Sequence, residues 1–168
     1  GQELELRSES LVIADHQGPV ALAGIMGGEA SAVDAQTGDI VLEAAFFAPL
    51  QIAGRARSYG LHTDSSHRFE RGVDYQLQVT AIERATALLL EIVGGQAGPV
   101  NEVVSSADLP QDTKVVLRRA RIEKVLGMQM ADGEVVDILT RLGLNISETV
   151  DGWAMQSPSW RFDIAIEE

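Results

Sequence analysis

The stretch from Asp74 to Gly95, DYQLQVTAIERATALLLEIVGG, settles the class of fold. Apolar residues recur at Leu77, Ile82, Ala85, Leu88, Leu89 and Ile92, close to the spacing of one helical face. An aspartate suited to an N-cap precedes them and a glycine pair suited to a stop follows, so the spacing predicts a helix from Asp74 to Gly94. Upstream the pattern changes to short apolar runs between glycine and aspartate turns: LVIA at 11–14, VALAGI at 20–25 and IVLEAAFF at 40–47. These read as strands. Pro49 suits a first helical turn, so PLQIAGRARSY reads as a short helix stopped by Gly60, and LHTDSSHRFERGVD at 61–74 as a loop. Strands and helices segregated in this way predict an α+β fold, a mixed sheet with helices packed on it.

Downstream, SSADLPQDT at 105–113 is polar, contains a proline and joins two patterned regions. A boundary there gives two domains, 1–107 and 112–168. The second reads as a strand (KVVL), a helix over RRARIEKVLG, a second helix capped by Asp132 and ended by Gly143, and a hairpin from LNIS to WAMQS. It is a small two-helix plus hairpin domain. The opening GQELELRSES starts directly in strand-like alternation and the closing WRFDIAIEE carries no stop signal. The first domain is therefore expected to be cut at its N-terminal side and the second at its C-terminal side.

A hydrophobic content of 45% over 168 residues is enough for a real core. No stretch approaches the roughly 18–20 apolar residues of a membrane helix, and the start lacks a secretory pattern, so a soluble cytoplasmic protein without a membrane partner is expected. The absence of cysteine excludes disulfides and cysteine-based sites. A net charge of −12 argues against non-specific polyanion binding, because neutralising phosphates needs local cations. The distribution says more: four of the six basic residues in 1–110, Arg55, Arg57, Arg68 and Arg71, fall between Gly54 and Gly72. This basic island is a candidate phosphate-facing patch in an acidic domain.

Four motifs admit two readings each. GIMGGEAS at 24–31 lacks the Lys-Ser/Thr of a phosphate loop, and is either a tight turn or a bare backbone that a ligand can approach closely. Glu43 interrupts an apolar run; it either faces solvent or an arginine, or is an acceptor at the bottom of a pocket, where a carboxylate needs a partner. HTDSSHRFERG at 62–72 groups His, Asp and Ser without the spacing of a zinc helix, so it is a polar loop held by its own hydrogen bonds or a patch presenting arginines. Arg118, Arg119, Arg121 and Lys124 are either a solvated helix face or an RNA contact. PSWRFD at 158–163 says nothing by itself.

Taken together, GIMGGEAS, VLEAAFFAP, GRARSYGLHTDSSHRFERGVD, GGQAGP and PSWRFD, in this order, resemble the beta subunit of bacterial phenylalanine–tRNA ligase over essentially the whole chain. The run from Gly54 to Asp74 is the most specific of them. The resemblance implies that residues 1–107 are the C-terminal part of an editing domain, which hydrolyses tyrosine wrongly esterified to tRNA(Phe). It implies Glu43 as acceptor for the tyrosine phenol, the backbone around Gly27 and Gly28 as pocket lining, and Thr63 and Ser65 on the neighbouring loop. Ser65 stands where relatives often carry alanine. Arg55, Arg57 and Arg68 would face the tRNA. No nucleophile or general base maps onto this chain, so water positioning is the expected chemistry, and these residues alone are expected to be inactive.

The resemblance further implies that Asp163 helps to hold a magnesium ion whose other ligands follow Glu168, so one carboxylate alone should not retain it. ATP would be used by the intact ligase and not bound here. Partners would be the alpha subunit, in a heterotetramer of two alpha and two beta chains, and tRNA(Phe). The alternative is a non-catalytic module that docks RNA or the alpha subunit. A closed pocket at Glu43 favours editing, and an arginine surface with Glu43 paired or solvated favours docking.

Overall fold

The computed structural model describes residues 2–111 and 113–167. Asp112 and Glu168, the bounds of the second expected domain, lie outside them. The chain forms two compact units, Gly1–Leu109 and Pro110–Glu168. Each holds one three-stranded antiparallel sheet and helices, which is the α+β class expected from the sequence. Where a mixed sheet was predicted in the first unit, its three strands are all antiparallel.

In the first unit β1 (Val12–Ala14), β2 (Pro19–Leu22) and β3 (Met26–Gly27) follow one another through tight turns. Asp15 makes the first turn, its Oδ1 accepting from the N–H of Gln17 at 2.7 Å and of Gly18 at 3.0 Å. The run 20–25 is therefore not one strand: it bends after Leu22 through Ala23–Gly24–Ile25, where Gly24 has φ +66° and the Ile25 N–H meets the Leu22 carbonyl at 3.0 Å. The helix expected from Pro49 is two, α1 (Pro49–Ile52) with proline in its first turn and α2 (Arg55–Ser58), separated at Gly54 with φ +74°. Leu22, Ile25, Ile52, Ala56 and Tyr59 form the core. The Tyr59 hydroxyl accepts from the Arg7 N–H at 2.9 Å and lies 2.6 Å from Ser10 Oγ, which ties the N-terminal segment to α2.

Three local expectations fail for identifiable reasons. Residues 40–47, predicted as a strand, belong to no ladder among the described residues; an apolar run becomes a strand only where a neighbour offers its N–H and C=O groups. The stretch 61–74, predicted as a loop, contains α3 (Asp64–Phe69), started by a capping box between Thr63 and Ser66. The long helix α4 (Gln78–Val93) begins after Asp74, whose carboxylate instead closes a turn by accepting from the Gln76 N–H at 2.9 Å. Its end is as predicted, at Gly94 with φ +73°.

The second unit follows its sequence closely. It runs through β4 (Lys114–Arg118), α5 (Arg119–Leu126), α6 (Asp132–Arg141), β5 (Asn145–Thr149) and β6 (Gly152–Gln156), with β6 central in the order β4–β6–β5. Val115, Leu144 and Met155 make its core, with Leu117, Leu139, Ile146 and Ile164 packed around them. Asp132 is not the cap of α6 but its first residue; its carboxylate accepts from Arg119 Nε at 2.9 Å. Arg119 also donates to Glu148 at 2.8 Å and to the Val150 carbonyl at 3.1 Å, and its guanidinium lies 4.7 Å from the Trp153 ring centre. One side chain thus joins the hairpin to the starts of both helices.

Two further ion pairs lie at the end of this unit, Arg118 with Glu167 and Arg161 with Asp163. Hydrogen bonding from the arginine holds both carboxyl groups below their ordinary titration range. A carboxyl group whose folded pKa is depressed adds stability that is present above its unfolded pKa, about 4, and lost as pH falls through the folded value. Both pairs are solvent-screened, so the effect is small. Because both tryptophans, Trp153 and Trp160, lie in this unit and both tyrosines in the other, fluorescence excited selectively at tryptophan reports on it alone. Its thermal midpoint is expected to fall as pH drops from about 6 to about 3, and Glu167→Gln to flatten that profile.

Candidate functional site

Two neighbouring features of the first unit hold the residues singled out by the sequence. The first is the contact between the 23–28 turn and the start of α3. Thr63 caps α3, its Oγ1 accepting from the Ser66 N–H at 3.0 Å while donating to the Ile25 carbonyl at 2.8 Å. Ser65 Oγ donates to the Gly24 carbonyl at 3.0 Å. Both hydroxyl protons are therefore spent on the turn, which makes these two residues the bolts that fasten α3 to it.

Gly27 and Gly28 follow directly. The Gly28 N–H donates to the Val20 carbonyl at 2.8 Å, and a Cβ built on Gly28 would stand 2.6 Å from that oxygen. Gly28 is thus fixed by strand packing. Gly27 has open space beside it.

The second feature is an open groove of about 690 Å³. The 43–48 segment, Tyr75, Gln78, Ile82 and the 100–105 segment line it. Phe46 meets Tyr75 edge to face with ring centres 6.1 Å apart, and Gln78 Nε2 reaches the Ala45 carbonyl at 3.3 Å. Glu43 is exposed at this groove, and no donor reaches its carboxylate among the described residues. The expectation of a carboxylate at the bottom of a closed pocket is therefore corrected: with 40–47 outside any ladder, no sheet face encloses the side chain. Gly27, Gly28, Thr63 and Ser65 do not line this groove.

The link between the two features is Phe47, which the sequence did not single out. Its ring packs on Phe69 of α3 with centres 5.0 Å apart, and both rings lie over Gly24. A glycine followed later in the chain by two phenylalanines is the only sequence signal of this contact.

The basic island divides. Arg55 reaches Glu9 at 3.7 Å, and Arg71 is bound to Glu70 at 2.8 Å and to the His67 carbonyl at 2.9 Å. Arg57 and Arg68 are exposed and make no ion pair among the described residues. In the second unit Arg118 and Arg119 are engaged internally, as a solvated and paired helix start requires. Asp163 is clasped by Arg161 through two bonds of 2.9 Å. No group of three His, Asp or Glu residues able to hold a metal occurs among the described residues. Magnesium requires about six oxygens in near-octahedral order, so the described residues do not fit it.

The B3/4 domain family model matches residues 1–94, more than half of the chain. The chain belongs to the B3/4 domain family. The tRNA synthetase B5 domain model matches residues 115–168, within the second unit. The B3/4 and B5 segments together are similar over their whole length to proteins named phenylalanine–tRNA ligase beta subunit. That of Pasteurella multocida (strain Pm70) is 60% identical over 168 residues, 100% of this chain and 21% of that protein. That of Vibrio vulnificus (strain YJ016) is 59% identical over the same lengths. That of Nitrosococcus oceani is 58% identical over 167 residues, 99% of this chain. The chain spans about a fifth of the length of these relatives. The B3/4 segment holds the turn, α3 and the groove side with Glu43; among the described residues no helix is long and apolar enough to cross a membrane.

Proposed function

We propose that this chain serves a phenylalanine–tRNA ligase as part of its beta subunit, and that its B3/4 segment proofreads by hydrolysing tyrosyl-tRNA(Phe). Glu43 accepts the hydrogen bond of the tyrosine phenol, the backbone at Gly27 leaves room for the ligand with Gly28 holding it against β2, and Arg57 and Arg68 face the tRNA with Arg55. A site that excludes a hydroxyl by fit alone discriminates only about 100-fold, whereas one that hydrogen-bonds the hydroxyl rejects its absence by roughly 10⁴–10⁵. A free acceptor beside aromatic and apolar walls is what such a site needs. The observation that supports this reading is Glu43 at a groove with Phe46 and Tyr75, with no donor on its carboxylate among the described residues; the openness of that groove counts toward the docking alternative.

In this account Thr63 and Ser65 support the site and do not touch ligand, since their hydroxyls hold the turn. Ester cleavage proceeds by placing a water on the ester carbonyl, aided by the terminal ribose hydroxyl of the tRNA. No step runs through Asp163 or magnesium. The intact ligase uses ATP elsewhere, in the cytoplasm, as a heterotetramer of two alpha and two beta chains. Tyrosine soaked into crystals of the assembled ligase is expected to place its phenol roughly 2.5–2.7 Å from a Glu43 oxygen. A phenol bound elsewhere, with Glu43 solvated, contradicts the assignment.

A second reading has its own observation: the groove is open and Glu43 solvated, while Arg57 and Arg68 are exposed and make no ion pair among the described residues. These features suit a non-catalytic module that docks RNA or the alpha subunit. Under that reading Arg57→Ala and Glu43→Ala change association of the ligase with tRNA or alpha subunit and leave ester clearance untouched.

A further inference from the structure

Residues 40–47 carry Glu43 yet belong to no strand, so nothing in a hydrogen-bonded ladder fixes their register. Their attachment lies at the end nearest α1. The Ala45 carbonyl accepts from Gln78, Phe46 meets Tyr75, and Phe47 packs with Phe69 against the core cluster that holds Ile25 and Ile52. Of these, Phe47 alone reaches the turn that Thr63 and Ser65 hold. A Cβ on Gly24 would stand 3.1 Å from Phe47 Cδ2 and 3.2 Å from Phe69 Cδ2, so the two rings rest directly on the Gly24 backbone. The left-handed φ of +66° at Gly24 favours glycine, and a Cβ there would force the two rings to give by a few tenths of an ångström.

We propose that Phe47 is the positioning residue of the Glu43 site: seated on Gly24 and against Phe69, it sets where the 40–47 segment stands relative to the 23–28 turn. This rests on the proofreading role proposed above for Glu43. Losing the ring leaves Glu43 chemically intact but lets its segment shift against the turn, and a misplacement on the order of 1 Å can cost about 100-fold in rate. Gly24 is the other half of the device, since a methyl there pushes the ring out from below. Phe47 thereby acts through Glu43, from the edge of the groove that it also lines.

The test compares hydrolysis of tyrosyl-tRNA(Phe) and phenylalanyl-tRNA(Phe) by the assembled ligase carrying Phe47→Ala, Phe47→Leu, Gly24→Ala, Glu43→Ala or Tyr59→Phe. The Phe47→Ala change is expected to lower kcat/KM on the tyrosyl ester by about 10- to 100-fold with little change on the phenylalanyl ester. Selectivity then collapses. Phe47→Leu, which refills most of the space, restores part of it, and Gly24→Ala reproduces the loss. Tyr59→Phe weakens the same core by removing a hydroxyl bound to Arg7 and Ser10 without touching Phe47, and is expected to lower the melting temperature and leave selectivity unchanged. In the double variant with Glu43→Ala, Phe47→Ala adds no further loss of selectivity, because the two act through one contact.

Equal losses on both esters in Phe47→Leu and Gly24→Ala, or unchanged selectivity in these folded variants, overturn the positioning role while Glu43→Ala alone still lowers selectivity. Wild-type selectivity in Glu43→Ala removes the proofreading role of Glu43 and this inference with it.

Discussion

Trp153→Ala is expected to destabilise the second unit by about 3–5 kcal/mol, the range for truncating a fully buried large aromatic. Trp153 is 1% exposed on β6, the central strand, and is the largest fully buried side chain of the unit. Its removal leaves a cavity in a small core and takes away the surface beneath the Arg119 guanidinium, 4.7 Å above the ring. Neither neighbour can close over the gap. Leu117 and Glu148 face Trp153 across fixed antiparallel registers, and Gly152 holds the strand so close to β4 that a Cβ there would stand 2.0 Å from the Leu117 carbonyl. Urea unfolding of this chain followed by far-ultraviolet circular dichroism should show the second unit's transition shifted or lost and the first unit's retained. A shift worth less than about 1 kcal/mol would mean that the hairpin repacks, against the rigidity these registers require.

How much of this was legible in the sequence depends on whether the deciding interaction was local. Gly127 and Gly143, both in left-handed backbone, ended the helices where the apolar spacing stopped, and the β5–β6 hairpin lay between them and the end of its own pattern. The second unit was thus readable almost residue by residue. The starts of α4 and α6 were misplaced because a carboxylate has several uses: Asp74 closes a turn and Asp132 binds Arg119, and neither serves as a cap. The α3 helix was missed because Ser66 stands in its capping box where glutamate or glutamine is usual.

Long-range contacts explain the rest. Strand alternation assumed a partner for residues 40–47 and so left the face of Glu43 undetermined; without a ladder the residue is exposed. Thr63 and Ser65 were placed beside the pocket by resemblance, yet their hydroxyls are directed to the Ile25 and Gly24 carbonyls, a role that only the folded turn reveals. Phe47 carried no local mark at all, since its partner Gly24 and its neighbour Phe69 are distant in the chain.

The central claim is that Glu43 reads the tyrosine hydroxyl. A hydrogen bond to a charged group contributes about 1.5–3 kcal/mol, so its loss weakens selection of tyrosine about 10- to 100-fold. Water attack on the ester should survive, because the carboxylate touches the phenol and not the reacting carbonyl. The most direct measurement is deacylation of tyrosyl-tRNA(Phe) and phenylalanyl-tRNA(Phe) by the assembled ligase with and without Glu43→Ala. The account predicts that the variant clears the tyrosyl ester about 10- to 100-fold more slowly and lets it accumulate, while its slow action on the phenylalanyl ester is unchanged. Clearance of tyrosyl-tRNA(Phe) at the wild-type rate would contradict it.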